Sequence, residues 1–194
     1  SLYHHPSDKL WVELAVSRDS VEWARPWRQP FIPNGAEGEW DSGVIYRGVG
    51  LLRKGDELWL SYYGRVATHD TCGDKEYQGG YSYAVSRLDG FASMDAGPRL
   101  GELVTLPLVF SGRHLLLNLQ TFEGGSARVE LQDADGKPLP GFSASDSAIL
   151  RGDRVSLPVT WKGKSDLSEL SGKPVRLRIL LRRAKLYAFE FTKL

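Results

Sequence analysis

Two carboxylates flank an aromatic ring in the run Glu39-Trp40-Asp41. On a strand, residues two apart point the same way, with backbones roughly 6.5–7 Å apart. Such a pair suits glycoside hydrolysis, in which one acid protonates the leaving oxygen and another carboxylate acts as nucleophile or base. The run equally fits a ligand contact without catalysis, or a capped turn with a packed Trp. All three interpretations stay open, and the sequence identifies no catalytic residue.

A second group of polar residues follows in His69-Asp70-Thr71-Cys72-Gly73-Asp74. A structural zinc site needs paired Cys or His ligands, which this spacing does not supply. Three interpretations remain: a calcium loop through Asp70 and Asp74, a sugar contact through His69, and an ordinary loop histidine. We therefore take Glu39, Trp40, Asp41 and His69 as candidate substrate-binding residues, and expect no metal and no cofactor.

Composition limits the class of protein. The chain has 194 residues and a formal net charge of +1, which gives no reason to expect nucleic acid or an anionic membrane as a partner. No apolar run approaches the ~20 residues of a membrane span. The single Cys72 excludes an intramolecular disulfide. The first six residues lack the pattern of a signal peptide.

Apolar residues alternate almost throughout, which predicts strands. A Pro-rich loop at 26–35 and a polar loop at 67–78 interrupt them, and a tight turn is predicted at Lys54-Gly55-Asp56. The predicted strands of the first half are Lys9–Arg18, Val21–Trp23, Val44–Arg53, Glu57–Val66, Gly80–Arg87 and Phe91–Met94.

An internal repeat gives these strands an architecture. Ala15-Val16-Ser17-Arg18 recurs as Ala84-Val85-Ser86-Arg87, and an Asp-containing turn follows each copy. Four-stranded repeats are typical of propeller blades. The repeat predicts about one and a half blades of a β-propeller over residues 1–96, so that the chain begins inside a blade. One continuous antiparallel sandwich with a chance match is the alternative.

The second half predicts an antiparallel β-sandwich over residues 97–194, because short strands recur at regular spacing after the break at Gly97-Pro98. Asp166–Leu170 predicts one helical turn, and Trp161 is the expected exposed aromatic if this domain binds sugar. The predicted strands are Leu103–Phe110, His114–Thr121, Ala127–Asp133, Val155–Trp161, Val175–Arg182 and Leu186–Thr192.

Antiparallel geometry determines which loops share one end of the blade. The entry to the strand at Val44 and the exit from the strand ending at Val66 lie at the same end. The loops Trp27–Ser42 and Ala67–Gln78, which contain the candidate residues, are therefore predicted to lie together at that end, and functional residues are often found on such loops.

Three segments resemble a known family: Gly38-Glu39-Trp40-Asp41-Ser42-Gly43, Glu57-Leu58-Trp59-Leu60-Ser61-Tyr62-Tyr63-Gly64, and Ala84-Val85-Ser86-Arg87-Leu88-Asp89-Gly90-Phe91. They resemble the last blade of five-bladed glycoside hydrolases of the β-fructosidase and arabinanase/xylosidase-like families. The stretch from Arg128 to Pro138, with Trp161-Lys162-Gly163, resembles the β-sandwich that follows such propellers.

The resemblance implies the C-terminal portion of a glycoside hydrolase-like protein that acts on carbohydrate and contributes pocket wall and an accessory sandwich. The family's catalytic carboxylates come from earlier blades, so the isolated chain is expected to be inactive. Its expected partners are carbohydrate and either the remaining blades or another copy of the chain. An extracellular or periplasmic location is favoured if it acts on carbohydrate. A non-catalytic carbohydrate-binding module, or a structural fragment without ligand, are the alternatives.

Overall fold

The structure, a computed structural model, describes residues 2–4, 7–71 and 79–193. Within these ranges the regular structure is β-strand, with one 3₁₀ turn at Ser168–Leu170 and no α-helix. The prediction of an all-β protein is confirmed. The chain divides into two compact units, Ser1–Leu88 and Asp89–Leu194. No helix of the described ranges is long and apolar enough to span a bilayer.

The first unit is one open sheet built around a central strand, Glu57–Arg65. Two short strands pair end to end with one edge of that strand, and Gly79–Arg87 pairs with the other edge. The remaining two strands extend the sheet past the short strand Val44–Arg47. The strands are β1 (Leu2–His4), β2 (Lys9–Trp11), β3 (Val44–Arg47), β4 (Leu52–Lys54), β5 (Glu57–Arg65) and β6 (Gly79–Arg87).

The single predicted strand 44–53 is divided into β3 and β4. Gly48 still donates its N–H to the Ser61 carbonyl at 2.8 Å, but Gly50 has a φ of 85°, which an extended strand does not adopt. The chain therefore leaves the edge of β5 for a few residues and returns at Leu52. The predicted tight turn at Lys54–Asp56 is confirmed, with Gly55 at a φ of 61°.

The predicted equivalence of the two repeat copies is wrong. Ala84–Arg87 lies within β6, whereas Ala15–Arg18 lies outside the strands. Val16 forms only an isolated bridge, exchanging two backbone hydrogen bonds of 2.9 Å with Ala24. The predicted strand 9–18 is reduced to β2, and residues 21–23 are not a strand. An isolated pair of short extended segments has too few neighbours to form a ladder.

The second unit is an antiparallel sheet of six strands, and three of them line up along one edge. β7, β8 and β9 pair in succession with different stretches of β12, so they act as one interrupted edge strand. Pro98 and Pro107 lie in the two interruptions and cannot donate to a ladder. The strands are β7 (Met94–Ala96), β8 (Gly101–Val104), β9 (Leu108–Val109), β10 (His114–Gln132), β11 (Asp153–Pro158) and β12 (Pro174–Thr192).

The predicted outer blade strand at 91–94 is also wrong, because Met94 pairs with Leu186 of β12 in this second sheet. Met94–Ala96 thus belongs with the second unit. β6 consequently pairs with β5 alone among the described residues.

Four of the strands predicted for the second half merge into two. β10 and β12 each run for 19 residues, and their register shifts between Thr121 and Ser126. Inward side chains from both halves of β10 join one core cluster, although a straight strand of this length would extend about 63 Å. The sheet must therefore curve around its core at the bulge. The six strands connect as one sheet rather than as the two separate sheets of a sandwich.

Two further predictions in the second unit have opposite outcomes. The predicted helical turn is present as the 3₁₀ turn Ser168–Leu170, and the Asp166 carboxylate accepts the Ser168 N–H at 2.9 Å. Trp161, expected to be exposed, is 1% exposed, and its indole N–H donates to the Val129 carbonyl at 2.8 Å. It is a core residue and offers no surface to a sugar.

A buried carboxylate anchors a loop to this sheet. Glu130 is 5% exposed and accepts hydrogen bonds from Gln132 at 2.9 Å, the Ala144 amide at 3.0 Å and Arg178 at 3.3 Å. Burial alone raises the pKa of Glu130, but these donors outweigh it, so the net pKa lies below its ordinary value of 4.5. The ionised form is therefore the one that stabilises the fold.

We predict that Glu130→Gln lowers the free energy of unfolding of the second unit by about 1–2 kcal/mol near pH 7, because three donors lose a charged acceptor. Native-state hydrogen exchange of β10 amides measures the loss. A lowered native pKa contributes stability above pH 4.5 that disappears as pH falls through the native value. The difference between wild type and variant should therefore shrink in acid.

Glu102→Gln is the matched control, since Glu102 also accepts from Arg178, at 2.7 Å, but is exposed. Its effect should be clearly smaller. Equal losses for the two variants would contradict a special role for the buried carboxylate.

Candidate functional site

The site begins with a buried carboxylate just before β3. Asp41 is 8% exposed, and the Tyr62 hydroxyl donates a hydrogen bond to its Oδ2 at 2.9 Å. Tyr62 lies on β5, where even-numbered residues share one face of the sheet. The bond therefore connects the loop before β3 to the face of the neighbouring strand.

Trp40 lies on the same face, against two glycines. Gly64 and Gly80 are directly opposite each other on β5 and β6. A Cβ placed on Gly64 would lie 3.1 Å from the Trp40 ring, and one on Gly80 would lie 3.6 Å from it. The indole also stacks on Tyr62, with centroids 5.8 Å apart and planes 17° apart. Trp40 is still 41% exposed, so part of its surface is open to a ligand.

Glu39 has a different environment from Asp41. Residues 39–41 form a turn rather than a strand, which corrects the prediction that the two side chains share a strand face. Glu39 is exposed, and its Oε2 accepts the Ala36 N–H at 3.0 Å, while its own N–H donates to the Ala36 carbonyl at 3.0 Å. Both carboxylates lie against Gly35, where a Cβ would overlap them. Glu39 thus stabilises the turn that presents Trp40.

His69 belongs to a second cluster of polar residues. Its Nδ1 lies 3.0 Å from Asp70 Oδ1, and the Asp70 N–H donates to Asp8 Oδ2 at 2.8 Å. One ligand atom from each of Asp8, His69 and Asp70 lies within 4.8 Å of the others. Oxygen and imidazole ligands in this arrangement could contact a divalent cation. Asp74, the other residue of the calcium interpretation, lies outside the described residues.

The two clusters lie at the same end of the first sheet. Val44 of β3 is opposite Arg65 of β5, so the loop before β3 and the loop after β5 leave the sheet together. Arg65 is buried, and its guanidinium donates to the Thr68 carbonyl at 3.1 Å. The structure therefore groups Glu39, Trp40 and Asp41 with Tyr62, and places His69 with Asp8 instead.

Two contributors were not among the predicted site residues. Asp8 is distant in sequence from His69, so only folding brings them together. Gly64 and Gly80 carried a signal, because glycine inside a strand pattern indicates that something approaches the backbone closely. Gly64 lies opposite Gly80 because of the register of the β5–β6 hairpin. The spacing of residues in the sequence does not determine that register.

The chain matches no family model, no curated protein and no solved structure.

The Asp41–Tyr62 bond predicts an abnormal titration. Burial first, then the hydrogen bond to Asp41 and its negative charge, raise the pKa of Tyr62 above its ordinary value of 10.0, and a hydrogen bond with Ser82 opposes them. We expect Asp41→Asn to lower the pKa of Tyr62 without restoring the ordinary value, since burial persists. Titration of the tyrosine Cζ resonances by NMR, assigned with Tyr62→Phe, measures it.

The raised pKa of Tyr62 also makes the free energy of unfolding depend on pH. The native phenol keeps a proton that the unfolded phenol loses near pH 10, so the free energy of unfolding falls as pH rises above about 10. This fall should be smaller in Tyr62→Phe. An unchanged Tyr62 pKa in Asp41→Asn would show that the two groups are not coupled in solution.

The packing of Trp40 on Gly64 and Gly80 predicts that the same substitution, Gly to Ala, changes stability differently at the two positions. In Gly64→Ala the new Cβ would lie 2.5 Å from Asp41 Cβ, so the loop must shift, at a cost of about 1–3 kcal/mol. In Gly80→Ala the nearest atom is 3.6 Å away, an ordinary contact. Urea denaturation of both variants should show a loss of stability only for Gly64→Ala. Equal effects would contradict the packing described.

Proposed function

We propose that the chain is part of a five-bladed glycoside hydrolase-like protein, in which β3 to β6 belong to a propeller blade and the surface of Trp40, Asp41 and Tyr62 forms a wall of the carbohydrate site. The observation that supports this most is the half-exposed Trp40, which stacks on Tyr62 and packs against Gly64 and Gly80 beside a buried carboxylate. The motifs at 38–43 and 57–64, which carry the family resemblance, also support the proposal.

The chemistry of a sugar matches this arrangement. A sugar ring offers an apolar face of C–H groups and a rim of hydroxyl donors. An aromatic side chain presents a large, rigid apolar surface at low conformational cost, and an ionised carboxylate accepts hydrogen bonds strongly. Stacking on Tyr62 and packing on the two glycines fix the orientation of Trp40 before any ligand arrives, which reduces the cost of binding.

The hydrogen bonding favours binding over proton transfer. Asp41 already accepts a bond from Tyr62, and Glu39 already accepts a backbone bond within its turn. Glycoside hydrolysis needs one acid and a second carboxylate on opposite sides of the scissile bond, whereas both of these lie against Gly35. The isolated chain is therefore expected to bind weakly and not to hydrolyse.

The second unit is proposed as the accessory domain of the same protein. Its aromatic side chains support a structural role, since Trp161 is buried and Phe191 stacks on Phe110 at a centroid distance of 3.8 Å. Its arginines on β12 act structurally as well: Arg176 and Arg182 donate to backbone carbonyls, and Arg178 pairs with two glutamates.

Titration of the ¹⁵N-labelled chain with fructo-, arabino- and xylo-oligosaccharides tests the proposal. One of these sugar classes should shift the indole resonance of Trp40 in the millimolar range, corresponding to about 4 kcal/mol of binding free energy. Trp40→Ala should abolish the response of neighbouring amides. Trp23→Ala is the matched control, because Trp23 is another exposed indole away from the site.

Absence of any shift with all three sugars would favour a structural segment without a ligand. Hydrolysis of an aryl glycoside by the purified chain, abolished by Glu39→Gln or Asp41→Asn, would also overturn the proposal. It would show a complete catalytic pair within these 194 residues.

A further inference from the structure

The outer edge of β6 pairs with no strand of the described ranges, although β6 runs for nine residues. Hydrogen-bonded pairs alternate along an antiparallel ladder. The Leu88 N–H donates to the Asp56 carbonyl at 2.8 Å in the same register. The even-numbered residues of β6 therefore bond to β5, and the odd-numbered residues direct their N–H and C=O groups outward.

In the middle of the strand, the residues with outward groups are Tyr81, Tyr83 and Val85. No strand other than β5 pairs with β6 in the described part of the chain, and these three residues are 87%, 53% and 50% exposed. Their side chains share one face of the sheet with Tyr63 and Trp59, which they contact edge-on or at a tilt, with centroids 5.2–5.5 Å apart. An apolar sheet face thus adjoins an open sheet edge.

The other edges in the two sheets carry the features that discourage strand addition. Among the described strands β11 pairs with β10 alone, but it has six residues, begins with Asp153-Arg154 and ends at Pro158. β4 has three residues and contains Arg53 and Lys54. Short length, proline and charge are the means by which natural edges avoid pairing. β6 has none of these before Arg87 at its end.

The sequence of β6 is complementary to itself. Antiparallel pairing of two copies about Tyr83 places Tyr81 opposite Val85, and Ser82 opposite Ala84, with Arg87 opposite Gly79. Pairs of an aromatic with a β-branched residue stabilise such ladders, and no like charges oppose each other. The outward N–H and C=O groups of one copy meet those of the other in this register.

We propose that β6 is a self-association edge, at which two copies of the chain pair antiparallel about Tyr83 and join their first sheets into one. The interface is isologous, so the same residues act on both sides of a two-fold axis. The proposal concerns assembly and does not depend on carbohydrate binding.

Hydrogen exchange of the wild-type chain across a concentration series tests both the association and its register. The amides of Tyr81, Tyr83 and Val85 should gain protection as concentration rises, while those of Ser82 and Ala84 are protected throughout by β5. Sedimentation should show the 21.6 kDa monomer giving way to a species of twice that mass over the same range. A monomer at every concentration, or a dimer without protection of the odd-numbered amides, would overturn the proposal.

Tyr83→Lys supplies the matched test by mutation. It places like charges opposite each other at the two-fold axis, and should weaken dimerisation on the order of tenfold. Val49→Lys is the control, because Val49 is 101% exposed outside the strands and the change in charge is identical. Equal dimerisation of Tyr83→Lys and Val49→Lys would place the interface elsewhere. If the chain stays monomeric and β6 instead pairs with a strand from another protein, self-association is also refuted.

Discussion

The candidate site depends on the absence of side chains at two opposed positions of the first sheet. Because Gly64 and Gly80 face each other, the indole of Trp40 can lie directly on the backbone, and Tyr62 can reach both the ring and the Asp41 carboxylate. Any larger residue at Gly64 would displace the loop that carries Asp41. The register of β5 and β6 thus determines where the indole can pack, and the loop before β3 places Trp40 at that position.

In the second unit the corresponding feature is a buried carboxylate, that of Glu130. Its sheet curves around an apolar core, and Glu130 lies within this unit with three donors directed at it. An ionised carboxylate at such a place stabilises only while its donors are kept. The loop containing Ala144 is therefore held both by the Glu130 carboxylate and by the packing of Phe142 on Trp161.

Alternation of apolar residues was enough to predict β5 and β6, because each has a long run of period two and a partner nearby in sequence. The same reasoning failed for Ala15–Arg18, whose sequence matches part of β6, because strand propensity acts only where a neighbouring strand exists. Trp161 is a related case, because its burial comes from packing in the core against Phe142 and from a bond to Val129, which no local pattern predicts. For the site, residue types indicated Trp40 and Asp41, but the separation of Glu39 and Asp41 into different environments required the turn geometry.

The side chains of Tyr81 and Tyr83 and the indole of Trp40 occupy opposite faces of the same hairpin. Trp40 covers the face that contains Gly80 and Ser82, whereas Tyr81 and Tyr83 project from the other face. A second strand added at the edge would extend both faces by one strand beyond Gly80. Pairing at β6 would therefore enlarge the face that Trp40 covers without altering Trp40, Asp41 or Tyr62.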